Sequence, residues 1–78
     1  MLRLEMTDTF GGETNYSWVR RVENFELPDN ATERQTRRAI REALDLQGVK
    51  LKKTCDGGDF ESWDIVGACV RIMLWTEY

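Results

Sequence analysis

Alternating apolar and polar residues open the chain. Residues 2–10 place leucine or methionine at every second position as far as Met6, with charged and hydroxyl residues between them. A period of two predicts a strand with one buried face. Two glycines follow, and residues 15–27 are rich in aromatic and β-branched residues, so the first two strands are predicted to form a long hairpin with a bend near residues 22–26. Alternation puts one set of side chains on the same face of the second strand: Tyr16, Trp18, Arg20 and Val22.

The middle of the chain has the spacing of an amphipathic helix. Asn30 and Glu33 match a capping box, so the helix is predicted to begin at or close to Ala31 and to end at Gly48. Its inward side is small or apolar, and the opposite side is almost wholly charged. The inward residues are Thr32, Thr36, Ala39, Ile40, Ala43, Leu44 and Leu46.

Three more strands follow the helix. Residues 49–55 alternate, residues 56–59 read Asp-Gly-Gly-Asp and predict a turn, and residues 60–66 predict the return strand. Residues 68–75 are nearly all apolar, which is typical of a strand in the interior of a sheet. The 78 residues therefore predict one domain, 1–78, of the α+β class: an antiparallel sheet in the order β-β-α-β-β-β with the amphipathic helix packed on one face.

The composition argues against several kinds of functional site. The chain has no histidine and only two cysteines, outside any CxxC pair, so we expect no metal site, no cofactor and no enzymatic activity. The first residues lack a signal-peptide core or a membrane-spanning run, which predicts a cytoplasmic protein with no membrane contact. Thiols stay reduced there, and Cys55 and Cys69 are predicted to be small buried residues in strands.

Charge is divided unevenly along the chain. Net charge is −3, but residues 31–53 carry +4 while the segments before and after carry −3 and −4. Four arginines are spaced to form one exposed stripe on the helix: Arg34, Arg37, Arg38 and Arg41. Such a stripe can bind phosphates, or it can be a solvated face or a protein contact, because Glu33, Glu42 and Asp45 are spaced to neutralise part of it.

An acidic group follows in the last third of the chain. It consists of Asp56, Asp59, Glu61 and Asp64, at the predicted turn and its return strand. The spacing does not match a calcium loop, and turn formation explains the two outer aspartates of the Asp-Gly-Gly-Asp segment. Contact with a partner is the other interpretation of this group.

Eight aromatic residues are more than one small core can enclose. A single helix covers one face of a sheet, so some of the larger aromatics are expected on the open face. We take Trp18 and Trp63 as candidate contact residues there. Cross-strand aromatic packing, which stabilises a sheet without any partner, is the alternative.

Residues 6–13, MTDTFGGE, and residues 15–21, NYSWVRR, resemble the opening of a group of short, mostly uncharacterised proteins encoded by phages and prophages. The turn at Pro28, the amphipathic helix and the closing strand through Trp75 also fit that group. Small proteins of this kind include anti-CRISPR proteins. The resemblance implies a phage or prophage origin and a binding role, and it identifies no functional residue.

These observations favour a non-enzymatic phage-type protein that binds and inhibits a host protein or nucleoprotein complex, such as a CRISPR effector, by covering one of its surfaces. Two alternatives stay open. One is a small nucleic-acid-binding accessory protein that uses the arginine stripe. The other is a homodimeric structural protein that pairs through its aromatic sheet face or an edge strand, so the chain is expected as a monomer or a homodimer.

Overall fold

A computed structural model describes residues 1–77 of the chain. Its elements are β1 (Leu2–Phe10), β2 (Glu13–Val22), α1 (Glu33–Ala43), β3 (Leu51–Asp56), β4 (Phe60–Ile65) and β5 (Val70–Thr76). The five strands form an antiparallel sheet in the spatial order β2-β1-β5-β4-β3. The predicted α+β class and the β-β-α-β-β-β order are confirmed.

Strand β5 lies at the centre of the sheet, as its apolar sequence predicts. Ile72 stands opposite Met6 of β1 and Trp63 of β4, and these residues share one face of the sheet. We call it the core face. Met73, flanked by Glu5 and Ser62, points to the other side, which we call the opposite face.

Side chains from the helix and from the sheet share one buried cluster. Ile40 of α1 and Leu44 at its C-terminal end belong to the same cluster as Leu4, Trp63 and Ile72 of the core face. Each of these five is at most 1% exposed. Removal of this apolar surface from water is the main term that stabilises the fold.

The helix begins two residues later than Ala31. Thr32 is its N-cap: the Thr32 hydroxyl accepts a hydrogen bond from the Gln35 backbone N–H at 3.1 Å, and the Gln35 side chain accepts one from the Thr32 N–H at 2.8 Å. The predicted capping box of Asn30 with Glu33 is therefore wrong. Glu33 is consequently free to use its carboxylate elsewhere.

The helix also ends before the predicted Gly48. Asp45 adopts the left-handed conformation with φ 57°. The Leu46 N–H then donates to the Arg41 carbonyl at 2.8 Å, and the Asp45 N–H donates to the Glu42 carbonyl at 3.4 Å. These two bonds form a Schellman motif, in which aspartate takes the position that glycine usually occupies.

Strand β2 is shorter than the predicted 15–27 at its C-terminal end. It stops at Val22, and Asn24 turns the chain with φ 60°. Phe25 then lies outside the sheet and is buried in the core at 7% exposure. The predicted bend near residues 22–26 is thus the point at which the chain leaves the sheet.

The β3–β4 hairpin has the predicted turn. The Gly57 N–H donates to the Phe60 carbonyl at 2.8 Å, and Gly58 adopts a φ of 74° that favours glycine. The ends of the three strands differ by at most two residues from the predicted 49–55, 60–66 and 68–75, and β4 begins at residue 60 as predicted.

Both cysteines are exposed, so the prediction that they are buried is wrong. Cys55 lies on β3, an edge strand whose pairing with β4 is interrupted by an irregularity between Lys53 and Cys55. Cys69 lies in the turn before β5 begins at Val70. The alternation of inward and outward side chains is therefore interrupted at Cys55. Cys69 precedes the first residue of β5, so this alternation does not determine its burial.

Candidate functional site

Large apolar side chains are exposed mainly on the β1–β2 hairpin. Among residues 1–77 six such side chains are exposed, and four of them lie on the distal half of this hairpin. They are Phe10, Tyr16, Trp18 and Val19, with exposed fractions of 80%, 51%, 42% and 39%. A concentration of large apolar side chains on a surface is typical of a contact region for another macromolecule. We call these four residues the hairpin surface.

A bulge in β2 shapes the hairpin surface. Thr7 pairs with Val19 and Thr9 pairs with Thr14, so Asp8 faces the whole of residues 15–18. We call residues 15–18 the Asp8 bulge. Extra residues in one strand bend it and re-aim its side chains, which is why Tyr16, predicted on the same face as Arg20, instead reaches Met73 on the opposite face.

Side chains of β1 hold the bulge in place. The Asp8 Oδ1 atom accepts a hydrogen bond from the Ser17 backbone N–H at 2.9 Å. Its Oδ2 atom accepts bonds from the Ser17 hydroxyl at 2.6 Å and the Asn15 side-chain amide at 2.9 Å. The fully buried Thr7 hydroxyl donates to the Trp18 carbonyl at 2.7 Å. The bulge is therefore a hydrogen-bonded structure along its length.

Tyr16 occupies the most strained position of the bulge. Its φ is 56°, in the left-handed region, which costs a residue with a Cβ atom about 1–2 kcal/mol. The hydrogen bonds of Asp8 to the two flanking residues offset this strain. The Tyr16 hydroxyl reaches the Met73 sulfur at 3.7 Å, so the bulge also contacts the opposite face of the sheet.

The same hydrogen bonds fix the charge of Asp8. Bonds from the Ser17 hydroxyl and the Asn15 amide lower the pKa of Asp8 from its ordinary value of 3.8 to about 2. Asp8 is consequently ionised and accepts hydrogen bonds at neutral pH. A carboxyl group with so low a pKa has no proton to give as a general acid near pH 7.

A groove of about 450 Å³ lies on the opposite face beside Tyr16. Phe60 and Trp75 contribute to its lining, with ring centroids 5.2 Å apart, and the Arg3 guanidinium lies 4.4 Å from the centre of the Trp75 ring. Cross-strand packing therefore accounts for Trp75. Tyr16 and Trp18 remain more exposed than these packed rings.

The four arginines of the predicted stripe differ in exposure. Arg34 and Arg38 are exposed, whereas Arg37 is half-buried. Two of the predicted ion pairs are present: Arg37 with Glu33 at 2.9 Å and Arg38 with Glu42 at 3.3 Å. The helix surface is thus partly neutralised, as its spacing predicts.

Arg41, the last residue of the stripe, has a different partner from the one its spacing predicts. It is half-buried and donates from Nε to the Val49 carbonyl at 2.8 Å. Asp45 cannot serve as an i+4 partner in the usual way because the helix has already ended there. Arg41 therefore attaches the loop that leads to β3.

The four acidic residues do not form one surface. Glu61 stands opposite a core-face leucine of β5, whereas Asp64 pairs with Arg71 across the opposite face at 2.7 Å. Asp56 and Asp59 lie at the β3–β4 turn. The predicted acidic set is therefore divided between the two faces of the sheet and the β3–β4 turn.

Trp63 lies in the core, which corrects its prediction as a contact residue. It is 0% exposed and stands opposite Ile72 on the core face. Its indole Nε1 donates to the Glu33 Oε1 atom at 2.9 Å, which satisfies the buried donor. Trp18, the other predicted contact residue, is exposed as expected.

Glu33 is the centre of a charged cluster that the sequence analysis does not predict. Glu33 accepts hydrogen bonds from Lys53, Arg37 and Trp63, each at 2.9 Å, and Lys53 also donates to Glu61 at 2.6 Å. We call these five residues the Glu33 network. The signal in the sequence is Lys53, a charged residue at an inward position of the alternating segment 49–55.

The Glu33 network holds fixed charges. Partial burial opposes ionisation of Glu33, but hydrogen bonds from Lys53, Trp63 and Arg37 outweigh it and lower the pKa of Glu33 from 4.5 to about 2. Burial likewise opposes the charge of Lys53, yet its bonds to Glu61 and Glu33 raise the Lys53 pKa above its usual range. Both groups are therefore charged near pH 7, and their hydrogen bonds connect the helix to β3 and β4.

Three further findings bear on the site. Among residues 1–77, no group of three or more cysteine, aspartate or glutamate side chains is placed to hold a metal ion. No helix in this part of the chain has the length and apolar character needed to cross a membrane. Comparison of the chain with protein-family models, with curated proteins and with solved structures finds no match.

Proposed function

We propose that the chain is a non-catalytic binding protein that inhibits a host macromolecular complex by covering one of its surfaces. The hairpin surface supports this proposal most directly, because four large apolar side chains stand exposed on one hairpin. Tryptophan and tyrosine supply a large share of the binding energy in protein interfaces. Trp18 and Tyr16 are therefore the centre of the proposed contact.

The Asp8 bulge favours binding because it is ordered before the partner arrives. A loop that becomes ordered only on binding loses conformational freedom at that moment, which weakens the complex. Here Asp8 accepts hydrogen bonds from Ser17 and Asn15, and these bonds hold the residues on both sides of Tyr16. The contact residues thus approach a partner already oriented.

Our proposal for the partner is a CRISPR effector of a bacterial host. The resemblance to small phage and prophage proteins supports this class of complex. The charge of the chain agrees with it, because its net charge is −3 and Asp56 and Asp59 lie at an exposed turn, where Asp56 is also 3.4 Å from Lys53. A nucleic-acid-binding groove on an effector would attract carboxylates through its own basic residues.

A homodimer is the second candidate function. It is favoured by the position of the hairpin surface, because β2 is an edge strand and an exposed edge can pair with a second copy. A nucleic-acid accessory role has less support, since two of the four helix arginines already pair with Glu33 and Glu42.

The test is the plating efficiency of a phage that a CRISPR system targets, in cells that express the chain. We expect the parent chain to restore plating and Trp18→Ala to lose that effect. Val66→Ala is the matched control, because Val66 is an exposed apolar residue outside the hairpin. Restoration that survives Trp18→Ala and Tyr16→Ala together would contradict the proposed surface, and no restoration by the folded parent chain would contradict the CRISPR effector as target.

Light scattering on the purified chain separates the second candidate. A dimer mass that becomes a monomer mass in Trp18→Ala, with circular dichroism unchanged, would favour the homodimer. A monomer mass in both proteins leaves the hairpin surface available for a different partner.

A further inference from the structure

The helix arginines donate internally through Nε alone. Arg37 Nε bonds to Glu33, Arg38 Nε bonds to Glu42 and Arg41 Nε bonds to a backbone carbonyl. Within residues 1–77, the terminal Nη atoms of these three guanidinium groups have no hydrogen-bond acceptor. Arg71 differs, because both its Nε and its Nη2 are used on Asp64.

This arrangement presents oriented guanidinium groups to solvent. A guanidinium has five N–H donors in a rigid fork, and its terminal pair can bind a planar oxyanion with two parallel bonds. The internal Nε bond restricts the rotation of each side chain, so less freedom remains to be lost on binding. Arg34, which is exposed and has no partner within residues 1–77, adds a fourth guanidinium that is not restrained in this way.

Three of the arginines line a depression on the helix surface. Arg34, Arg37 and Arg41 surround a space of about 510 Å³, together with Glu33. We call it the guanidinium groove. It belongs to α1, whereas the hairpin surface belongs to β1 and β2, so the two surfaces are formed by different elements.

We propose that the guanidinium groove binds the carboxylates of an acidic protein segment. Carboxylates match the terminal Nη pairs in shape and charge. Glu33 also lines the groove, so the excess of positive charge there is small. A segment with spaced carboxylates can meet Arg34 and Arg41 and avoid Glu33.

A nucleic acid fits this groove less well. Its backbone carries a phosphate on every nucleotide and would bring some of them against Glu33, which lines the groove. The net charge of −3 also opposes the approach of a dense polyanion. The observations therefore favour a few discrete ion pairs with a protein over a continuous phosphate track.

The test is an NMR titration that follows the Nε–Hε resonances of the arginines in the intact chain. The first probe is a synthetic peptide in which glutamate alternates with serine, and the second is an oligothymidylate of equal charge. We expect the peptide to shift the resonances of Arg37 and Arg41 to saturation at low salt, with weaker binding at physiological salt. Arg3 and Arg71, outside the groove, are internal controls and should not shift.

Arg34→Gln supplies the variant, because Arg34 has no partner within residues 1–77 whose loss could disturb the fold. We expect this change to weaken peptide binding about fivefold, within the range of one exposed ion pair. Lys52→Gln is the matched control, since it removes the same charge from an exposed residue of β3, and its effect should stay below about twofold.

Three outcomes would overturn the proposal. Equal shifts at Arg3 and Arg71 would mean that the peptide binds by charge alone. Tighter saturation of the groove resonances by oligothymidylate would identify a phosphate surface instead. The absence of a shift with either probe would make the groove a solvated helix face. None of these results depends on the hairpin surface, so the proposed function is tested separately.

Discussion

Asp8 and Glu33 organise two regions of the molecule with the same kind of group. Each carboxylate collects several hydrogen bonds, and each has its pKa lowered to about 2. Their partners differ in distance along the chain: Asp8 bonds to Asn15 and Ser17, seven and nine residues away, whereas Glu33 bonds to Trp63, thirty residues away. The first carboxylate shapes one hairpin, and the second joins separate elements.

The two regions also differ in solvent access. The hydrogen bonds that Asp8 accepts from Asn15 and Ser17 are exposed, so water can replace a lost partner there. The indole N–H of Trp63 belongs to a completely buried side chain, and a buried donor without an acceptor costs far more than an exposed one. Similar pKa values therefore do not imply similar contributions to folding.

The largest expected loss of stability is at Glu33. Glu33→Ala leaves the Trp63 indole N–H without its acceptor and removes a partner of Lys53, so we expect the free energy of unfolding to fall by about 2 kcal/mol. Urea denaturation measures the change. Glu42→Ala is the control on the same helix, because its exposed pair with Arg38 is worth about 0.5 kcal/mol or less. Equal losses in the two variants would show that the Glu33 network is not a connection between elements.

Acid should weaken both regions in the same direction. The folded-state pKa of about 2 lies below the ordinary values of 3.8 for Asp8 and 4.5 for Glu33, because hydrogen bonds favour the ionised forms. The stability they contribute is therefore complete above pH 4.5 and is lost as the pH falls toward 2.

Urea midpoints measured between pH 6 and pH 2 test this expectation, and a Glu33→Gln variant separates the two groups. The variant should lose less stability over the acid range than the parent chain, because one of the two titrating carboxylates is absent. A parent midpoint that is flat or rises as the pH falls would contradict the assignment of these bonds.

Most of the fold can be predicted from the spacing of apolar residues in the sequence and from its turn residues. The period of two in residues 2–10 and the apolar run in residues 68–75 predict β1 and the central β5. The helix start is displaced because two segments match a capping box, Asn30 with Glu33 and Thr32 with Gln35. Local sequence does not decide between them, whereas the contacts of Glu33 with β3 and β4 do.

Less of the candidate site can be predicted from the sequence. Alternation through residues 16–22 is regular, so nothing in it indicates that four residues bulge opposite Asp8. Trp63 illustrates a second difficulty, because an indole needs an acceptor when it is buried and that acceptor, Glu33, comes from a distant segment. Lys53 is the residue of the sequence that indicates this contact, since a charge at an inward strand position requires a partner of opposite sign.

The smallest effect on overall stability is expected at Asp8. Asp8→Ala removes the acceptor of the Ser17 backbone N–H and of two side chains, but all three donors can turn to water. We expect the urea midpoint to change little, while hydrogen exchange of the Ser17 amide accelerates about tenfold or more through local opening.

Glu13→Ala provides the matched control for this variant, because Glu13 is an exposed carboxylate on the same hairpin. Exchange at Ser17 should be unchanged in the control. If Asp8→Ala instead accelerates exchange equally at Ser17 and at Ile72 in the centre of the sheet, the bulge unfolds only with the whole domain. The contrast between a local carboxylate and a connecting one would then fail, because both would act on global stability. If the acceleration stays within residues 15–18, the strained conformation of Tyr16 depends on Asp8, and binding through the hairpin surface should weaken in the same variant although Trp18 and Tyr16 are both still present.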